Sequence, residues 1–196
     1  ILGIGDAGGF RQFSNSVRMI RRPEDLKGLK MRSNGMDTIN KTLEALGAEV
    51  MTVPYNDLYM ALKSGAIDGQ ENPWVNSSGM RFYEVQKYFT EVNYQFHPEP
   101  FYVNTRWYES LPSEYQEILA ECTEEMMKEN NRLIDENEVQ AMENIRANAE
   151  IYTLSREERQ AFVEATQVVY EEYMDNGLLT MDDLARMKRI IRGEEK

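Results

Sequence analysis

The sequence predicts an α/β fold with βαβ units, a mixed sheet and one long helix. Between residues 29 and 73, short apolar segments typical of strands alternate with two segments of helical spacing. From Pro112 to about Ala149, apolar residues keep to roughly one helical face. At ~1.5 Å per residue such a helix would be on the order of 55 Å long, so we expect it to cross two lobes.

The beginning of the chain predicts few regular elements. Residues 1–10 are rich in glycine and are expected to form an irregular entry, followed by a strand around residues 18–20. Proline and glycine mark a turn at residues 23–28. Residues 29–32 have the short apolar pattern of a buried strand.

The central segment carries the strand–helix alternation. Apolar residues at helical spacing predict a helix over residues 39–46, which Gly47 would end. A strand is expected at residues 49–53, and Asn56 is expected to cap the next helix, which ends at Gly65. The strand after Gly65 leads into the motif DGQENP. This alternation indicates a parallel sheet, in which ligands bind beyond the carboxyl ends of the strands.

The second half of the chain is predicted to be mainly helical. In chain order we expect a helix at 81–88, strands at 89–96 and 101–104, the long helix with a kink near 130–131, a strand at 151–154, a helix at 155–175 and a helix at 181–191. Pro112 suits the first turn of the long helix. Ser155 and Glu158 have the spacing of a capping box. A charged end follows the last helix.

Composition excludes several classes of function. The formal net charge of −12 argues against a nucleic-acid partner, because a phosphate backbone requires a basic face. One histidine and one cysteine cannot form the clustered ligands of a zinc site, so we expect no metal or other cofactor. Cys122 is expected to be a small core residue and His97 to be structural. No constellation of residues predicts catalysis, so we expect a protein that is not an enzyme.

Two polar residues are predicted to meet at the edge of the sheet. Arg32 ends a strand and precedes a break and a helix start, while Asn72 ends another strand just before Pro73. A guanidinium fork can hold a carboxylate with two hydrogen bonds, and an amide can orient it. The pair therefore predicts a site for a small carboxylate. Glu71 is expected to brace Arg32 or a backbone turn.

Five blocks closely resemble the solute-binding proteins of TRAP transporters, the family named for the C4-dicarboxylate receptor DctP. They are PEDLKGLKMR at 23–32, LGA at 46–48, YMALKSG at 59–65, DGQENP at 68–73 and YEVQKY at 83–88. Each block alone is weak, but five blocks with matching separations form a strong signal. The resemblance implies a fold like that of periplasmic binding proteins, with two lobes that close on an organic acid.

The resemblance also implies roles for individual residues. The carboxylate-clamping arginine of the family matches Arg32, and its ligand-contacting asparagine matches Asn72. A second arginine in a Gly-x-Arg-Gln sequence matches Arg11. The aromatic wall position of the family matches Tyr55, and we also expect Trp74 to line the cleft.

Partners and location follow from the same resemblance. We expect delivery of the acid to TRAP permease membrane subunits in the periplasm, or, as the alternative, presentation of the bound acid to a membrane sensor. No stretch has the pattern of a signal peptide, so the chain is expected to be either cytoplasmic or a mature or trimmed form without the family's N-terminal segment. A homodimer through an exposed lobe surface is a further expectation.

The expected domain organisation has three parts. Residues 1–105 would form the ligand-binding lobe, residues 106–150 the long connecting helix, and residues 151–196 a strand and helices that pack on the lobes. Relatives handle dicarboxylates, sialic acid, sugar acids, keto acids and aromatic acids, and each of these ligands stays open for this chain.

Overall fold

Seven strands form one mixed sheet. In a computed structural model of the protein, which describes residues 1–191, the strands are β1 (Gly3–Asn15), β2 (Lys30–Ser33), β3 (Glu49–Thr52), β4 (Gly69–Pro73), β5 (Tyr88–Glu91), β6 (Phe96–Phe101) and β7 (Glu150–Thr153). The strand order is β3-β2-β4-β1-β5-β7, and β6 pairs with β1 outside this order. β2 is parallel to both β3 and β4, as the βαβ pattern predicts, while β1 is antiparallel to β4.

Eight helices surround the sheet in the described part of the chain. They are α1 (Asp37–Ala45), α2 (Leu58–Lys63), α3 (Trp74–Gly79), α4 (Thr105–Glu109), α5 (Ser113–Arg146), α6 (Arg156–Ala165), α7 (Gln167–Asp175) and α8 (Met181–Ile191). Short 3-10 turns occupy Pro23–Leu26, Tyr55–Asp57 and Phe82–Glu84. The charged end that we expected after α8 lies outside the described residues. No helix within residues 1–191 has the length and apolar character needed to cross a membrane.

The long helix and the capping box are present. α5 runs as one helix of 34 residues, with no break at residues 130–131, where a kink was expected. Instead, the Asn130 and Asn131 side chains bind the backbone of Asp6 in β1. Ser155 accepts a hydrogen bond from the Glu158 backbone and completes the predicted capping box of α6. Cys122 is exposed on α5, so the prediction that it is a core residue is wrong.

The glycine-rich start is a strand, and the prediction of an irregular entry is wrong. β1 has 13 residues and lies at the centre of the sheet, whereas residues 18–20 form no strand. Glycine disfavours strands in isolation, but it suits a place where another element approaches closely. A Cβ at Gly5 would lie 2.7 Å from the Met127 sulfur of α5. The absence of a side chain at Gly5 therefore lets α5 pack directly on the strand.

Other local features also differ from the sequence expectations, including the strands expected at 89–96 and 101–104, which are β5 (Tyr88–Glu91) and β6 (Phe96–Phe101). The helix expected at 81–88 is a single 3-10 turn, because Arg81 has a left-handed backbone with φ of 56° and the chain then enters β5. Asn56 lies inside a 3-10 turn and does not cap α2. The helix expected at 155–175 is broken at Thr166 into α6 and α7.

The register between β1 and β4 fixes which residues of the two strands lie opposite one another. In this register Arg11 faces Pro73, Gln12 faces Asn72 and Phe13 faces Glu71. Phe13 and Met31 are fully buried in the largest apolar cluster, which fixes the face that each strand turns to the core. A shift by one residue would move every side chain of β1 to the other face, so the core holds this register.

Gly69 is required where β4 passes between β1 and β2. A Cβ at this position would lie 2.4 Å from the Ser14 carbonyl oxygen and 2.7 Å from the Met31 sulfur. We expect Gly69→Ala to lower the free energy of unfolding by about 1–3 kcal/mol, the usual effect of overpacking. Urea unfolding measures the change. Gly79→Ala is the control, because nothing lies within 4 Å of its Cβ position; an equal loss in both variants would contradict the close-approach explanation.

Candidate ligand-binding site

Three of the predicted site residues lie together and are buried. Arg32 lies near the carboxyl end of β2 and Asn72 near that of the neighbouring parallel strand β4. Arg11 comes from β1, which runs antiparallel beside β4. The exposed fractions are 1% for Arg11, 3% for Arg32 and 3% for Asn72. The sheet therefore brings the two arginines and the amide to one region, as the sequence predicted for Arg32 and Asn72.

Arg11 is held by Glu71 in a buried ion pair. Its Nε donates to Glu71 Oε2, and its Nη2 donates to Oε1 at 2.8 Å and to the Glu71 carbonyl oxygen at 2.8 Å. Burial lowers the pKa of Arg11, but the hydrogen bonds and charge of Glu71 outweigh burial and leave the pKa raised. Glu71 thus braces Arg11, and the expectation that it braces Arg32 is wrong.

Tyr94 completes the surroundings of Glu71. Its hydroxyl donates to Glu71 Oε2, the same oxygen that accepts from Arg11 Nε. Burial, reinforced by the negative charge of Glu71, raises the pKa of Tyr94 well above its usual value. The sequence analysis did not identify Tyr94, because it follows β5 in a segment without a local motif and meets Glu71 only through the sheet.

Arg32 differs from Arg11 because it has no acidic partner among the described residues. Its Nε donates to the Val53 carbonyl oxygen at 2.9 Å, and its guanidinium carbon lies 5.9 Å from the centre of the Tyr55 ring. Burial lowers the pKa of Arg32, opposed by the charge of Glu71 through space. Arg32 is therefore a buried cation whose terminal nitrogens make no hydrogen bond to residues 1–191.

Asn72 is held in a buried polar network. Its Oδ1 accepts from Arg11 Nη2 at 3.2 Å, and its Nδ2 donates to Gln70 Oε1. Gln70 in turn donates to the Ser14 hydroxyl at 2.8 Å. The amide orientation is consequently coupled to the position of Arg11.

A cleft of about 580 Å³ lies next to the arginines. Tyr55 and His97 line it, and each contacts one arginine: Tyr55 lies over Arg32, and His97 Nδ1 is 3.1 Å from Arg11 Nη1. The remaining lining residues are Asp6, Ala7, Val75, Asn76, Gly79, Met80, Glu99, Asn130 and Ile134. The predicted aromatic wall position of Tyr55 thus lies at the cleft.

Trp74 lies elsewhere. It is 1% exposed and packs with Phe89, Ala141 and Ile145 in a separate apolar cluster between α3, β5 and α5. The Trp74 and Phe89 rings stack with centroids 6.1 Å apart. The structure therefore places Trp74 in the core and not among the cleft residues.

The geometry agrees with a sequence-family match that covers most of the chain. Residues 1–176 match the model of bacterial extracellular solute-binding protein family 7, DctP. The chain belongs to this family. Its sequence is 31% identical over 169 residues to the C4-dicarboxylate-binding periplasmic protein DctP of Vibrio cholerae, a match that covers 84% of this chain and 50% of the relative.

Solved structures of TRAP periplasmic solute-binding proteins share the fold of this family 7 chain. The protein from Shewanella oneidensis, solved with bound succinate, has a TM-score of 0.83 and 30% identity, covering 89% of this chain and 57% of the other. The protein from Sulfitobacter sp. NAS-14.1, solved with bound β-D-galacturonate, has a TM-score of 0.84 and 29% identity with the same coverage. The chain therefore spans about half the length of the relatives it matches.

The family 7 chain has a second, more apolar cavity that does not contain the predicted site residues. It has a volume of about 390 Å³ and lies between α1, α6, α7 and the segment after β5. None of Arg11, Arg32, Asn72 and Tyr55 lines it. Within residues 1–191, no group of three or more metal-binding side chains could hold a metal ion.

His97 makes the stability of this family 7 protein sensitive to acid. Because arginine only donates, His97 Nδ1 accepts from Arg11 and the ring is neutral. Burial and the charge of Arg11 lower the pKa of His97 below 6.5. As the pH falls, His97 therefore binds a proton in the unfolded state before it does so in the native state. The contribution of neutral His97 to the free energy of unfolding is complete above about pH 6.5 and is lost as the pH falls below that value.

We expect His97→Asn to reduce this acid-dependent loss of stability. The asparagine oxygen can accept from Arg11 but does not take up a proton in this range. Urea unfolding at about pH 7.5 and about pH 5 measures the change in free energy for both proteins. Equal pH dependence of the native protein and the variant would contradict a neutral, half-buried His97.

Proposed function

We propose that the chain is the carboxylate-holding part of an extracytoplasmic protein that captures a small organic acid and delivers it to a TRAP permease. The observation that carries the proposal is the buried guanidinium of Arg32, which has no acidic partner among residues 1–191 and lies next to a cleft. A buried cation without a partner is unfavourable, and an incoming carboxylate supplies the missing charge. Succinate and galacturonate, the acids bound by the two similar structures, both carry carboxylates.

The roles of the site residues follow from their contacts. Arg32 clamps the carboxylate with its free terminal nitrogens. Arg11 is a positioning residue, because Glu71 and His97 occupy its donors and Arg11 in turn orients the Asn72 amide. Asn72 orients the acid, and Tyr55 forms the wall over the guanidinium. Trp74 supports α3 from the core and is not assigned a ligand contact.

We further propose three functional segments. Residues 1–105 form the ligand-binding lobe, and residues 106–150 form the connecting segment that contains α5. Residues 151–196 form the third segment, whose described part, residues 151–191, supplies a strand and helices that pack on the lobes. In support, α5 packs on β1, α3 and β7, and α7 packs on α1. Binding favours the arrangement in which both lobes contact one ligand, and no chemical step takes place.

The location and partners are proposed on the same basis. Relatives that match this chain are described as periplasmic binding proteins, which supports a periplasmic location and TRAP permease membrane subunits as partners. Exposed apolar residues, among them Ile4 and Tyr102 at 61% and 73% exposure, support a contact surface for a second copy of the chain. Light scattering after size-exclusion chromatography tests the homodimer.

A thermal-shift screen of organic acids tests the proposed function. The screen uses the 196-residue chain and, in parallel, a form extended to the length of the relatives. A ligand that binds only the native state stabilises it by ~2.7 kcal/mol at a hundredfold excess over its dissociation constant. We expect at least one carboxylate to raise the midpoint. No stabilisation by any acid in either form would refute the proposal.

A further inference from the structure

The site leaves one positive charge unbalanced. Arg11 and Glu71 form an ion pair, so their charges compensate each other inside the protein. Arg32 has no carboxylate within ion-pair distance among residues 1–191, and Glu71 acts on it only through space. One carboxylate group of a ligand would therefore neutralise the buried site, and a second would leave it with an excess of negative charge.

The cleft wall, in contrast, offers hydrogen-bond acceptors and negative charge. Glu99 lines the cleft, and its carboxylate makes no hydrogen bond or ion pair to any described residue. Asp6 also lines the cleft, where its Oδ1 accepts from the backbone N–H of Gly8 at 2.8 Å.

The acidic residues line the same cleft that lies next to the arginines. His97 connects them: its ring contacts Arg11, and the charges of Glu99 and Asp6 both act on its pKa. A ligand whose carboxylate reaches Arg32 beneath Tyr55 therefore extends its other end along a surface of acceptors. A terminal hydroxyl can donate to that surface, whereas a second carboxylate would meet like charges.

We propose that the ligand of this site is a monocarboxylate whose other end donates hydrogen bonds, such as a hydroxy acid or a sugar acid, and not a dicarboxylate. This inference rests on the proposed function, because it names the class of acid that the same site takes. Arg32 binds the single carboxylate, while the exposed Glu99 carboxylate accepts from hydroxyl groups of the ligand. Asp6 adds negative charge that disfavours a second acid group.

Matched pairs of acids test the charge of the ligand at constant size. Galactonate and galactarate are both open-chain acids and differ in one terminal group, which is a hydroxymethyl group in galactonate and a second carboxylate in galactarate. Succinamate and succinate differ in one amide for one carboxylate. Isothermal titration calorimetry on the full chain gives the dissociation constants. Where a matched pair binds, we expect the monocarboxylate to bind at least about tenfold more tightly than the dicarboxylate. A tenfold difference corresponds to about 1.4 kcal/mol.

A charge-neutralising variant ties the preference to the cleft wall. Glu99→Gln keeps the size and an acceptor oxygen but removes the negative charge, so the preference for the monocarboxylate should fall about threefold. Glu121→Gln, an exposed substitution on α5, is the control for total charge and should leave the preference unchanged. Titration at raised salt should likewise narrow the preference, because the Glu99 carboxylate is exposed.

The outcomes separate this inference from the proposed function. A monocarboxylate preference that narrows in Glu99→Gln supports both. Equal binding within each pair, or tighter binding of the dicarboxylate, overturns the inference and leaves the solute-binding function in place. If Glu99→Gln leaves the preference for the monocarboxylate unchanged, the proposed role of the acidic cleft residues is wrong. Failure of every acid to bind overturns the proposed function together with the inference.

Discussion

Replacing Arg32 with alanine is expected to weaken carboxylate binding by about a hundredfold or more. Truncation of one partner of a buried, hydrogen-bonded charge pair typically costs about 2–5 kcal/mol, and each 1.4 kcal/mol corresponds to about tenfold in affinity. Arg32 is the one buried arginine of the site whose terminal nitrogens are not occupied by residues 1–191, so the remaining groups cannot replace it. Isothermal titration calorimetry with an acid identified in the screen measures the loss.

Two further substitutions distinguish a clamp from a general electrostatic effect. Arg32→Lys keeps the charge but loses the planar fork, so we expect an intermediate affinity. Arg156→Ala removes an exposed arginine on α6 and should leave affinity unchanged. If Arg32→Ala bound the acid as tightly as the native protein, the clamp assignment would be wrong.

Removing the charge of Arg32 is expected to weaken ligand binding but not to lower the stability of the ligand-free protein. In the absence of ligand, Arg32 is a buried cation without an acidic partner in the described chain, and its pKa is lowered mainly by burial. Replacement by Met keeps much of the volume and removes the charge, so Arg32→Met should unfold at an equal or higher urea concentration. A variant that loses binding but not stability separates a ligand-binding role from a structural one.

Glu71→Ala is expected to lower the free energy of unfolding by about 3–5 kcal/mol, because it leaves Arg11 charged and unpaired inside the protein. Arg11 is 1% exposed and donates two side-chain hydrogen bonds to Glu71, and the Tyr94 hydroxyl loses its acceptor as well. Urea unfolding measures the loss. This loss of stability should appear in the absence of ligand, whereas substitution of Arg32 should reduce ligand binding and not stability.

A double-mutant cycle isolates the ion pair from the other effects of truncation. Adding Arg11→Met to Glu71→Ala removes the unpaired charge, so the double variant should be more stable than Glu71→Ala alone. The matched control is the exposed pair Glu124–Lys128 on α5, where Glu124→Ala should change stability far less than Glu71→Ala does. Comparable losses at the two pairs would contradict the importance of burial for the Arg11–Glu71 pair.

Local patterns were sufficient where neighbours in sequence decide the structure. The helical spacing over residues 39–46, the short strand ending near Arg32 and the capping box at Ser155 all appear close to the expected places. They depend on contacts within one or two turns of the chain. Local patterns failed at β1, because its glycines fit the close approach of α5, a helix that begins almost a hundred residues after β1 ends.

The sequence by itself determined the α/β class, the family, and the position of Arg32 and Asn72 at the ends of neighbouring parallel strands. Only the tertiary structure decided that Glu71 pairs with Arg11, that Arg32 has no acidic partner within the described residues, and that Trp74 lies in the core. The physical reason is register. Arg11 and Glu71 are 60 residues apart, and their contact exists only because β1 and β4 pair antiparallel in a register that buries Phe13 of β1 in the core.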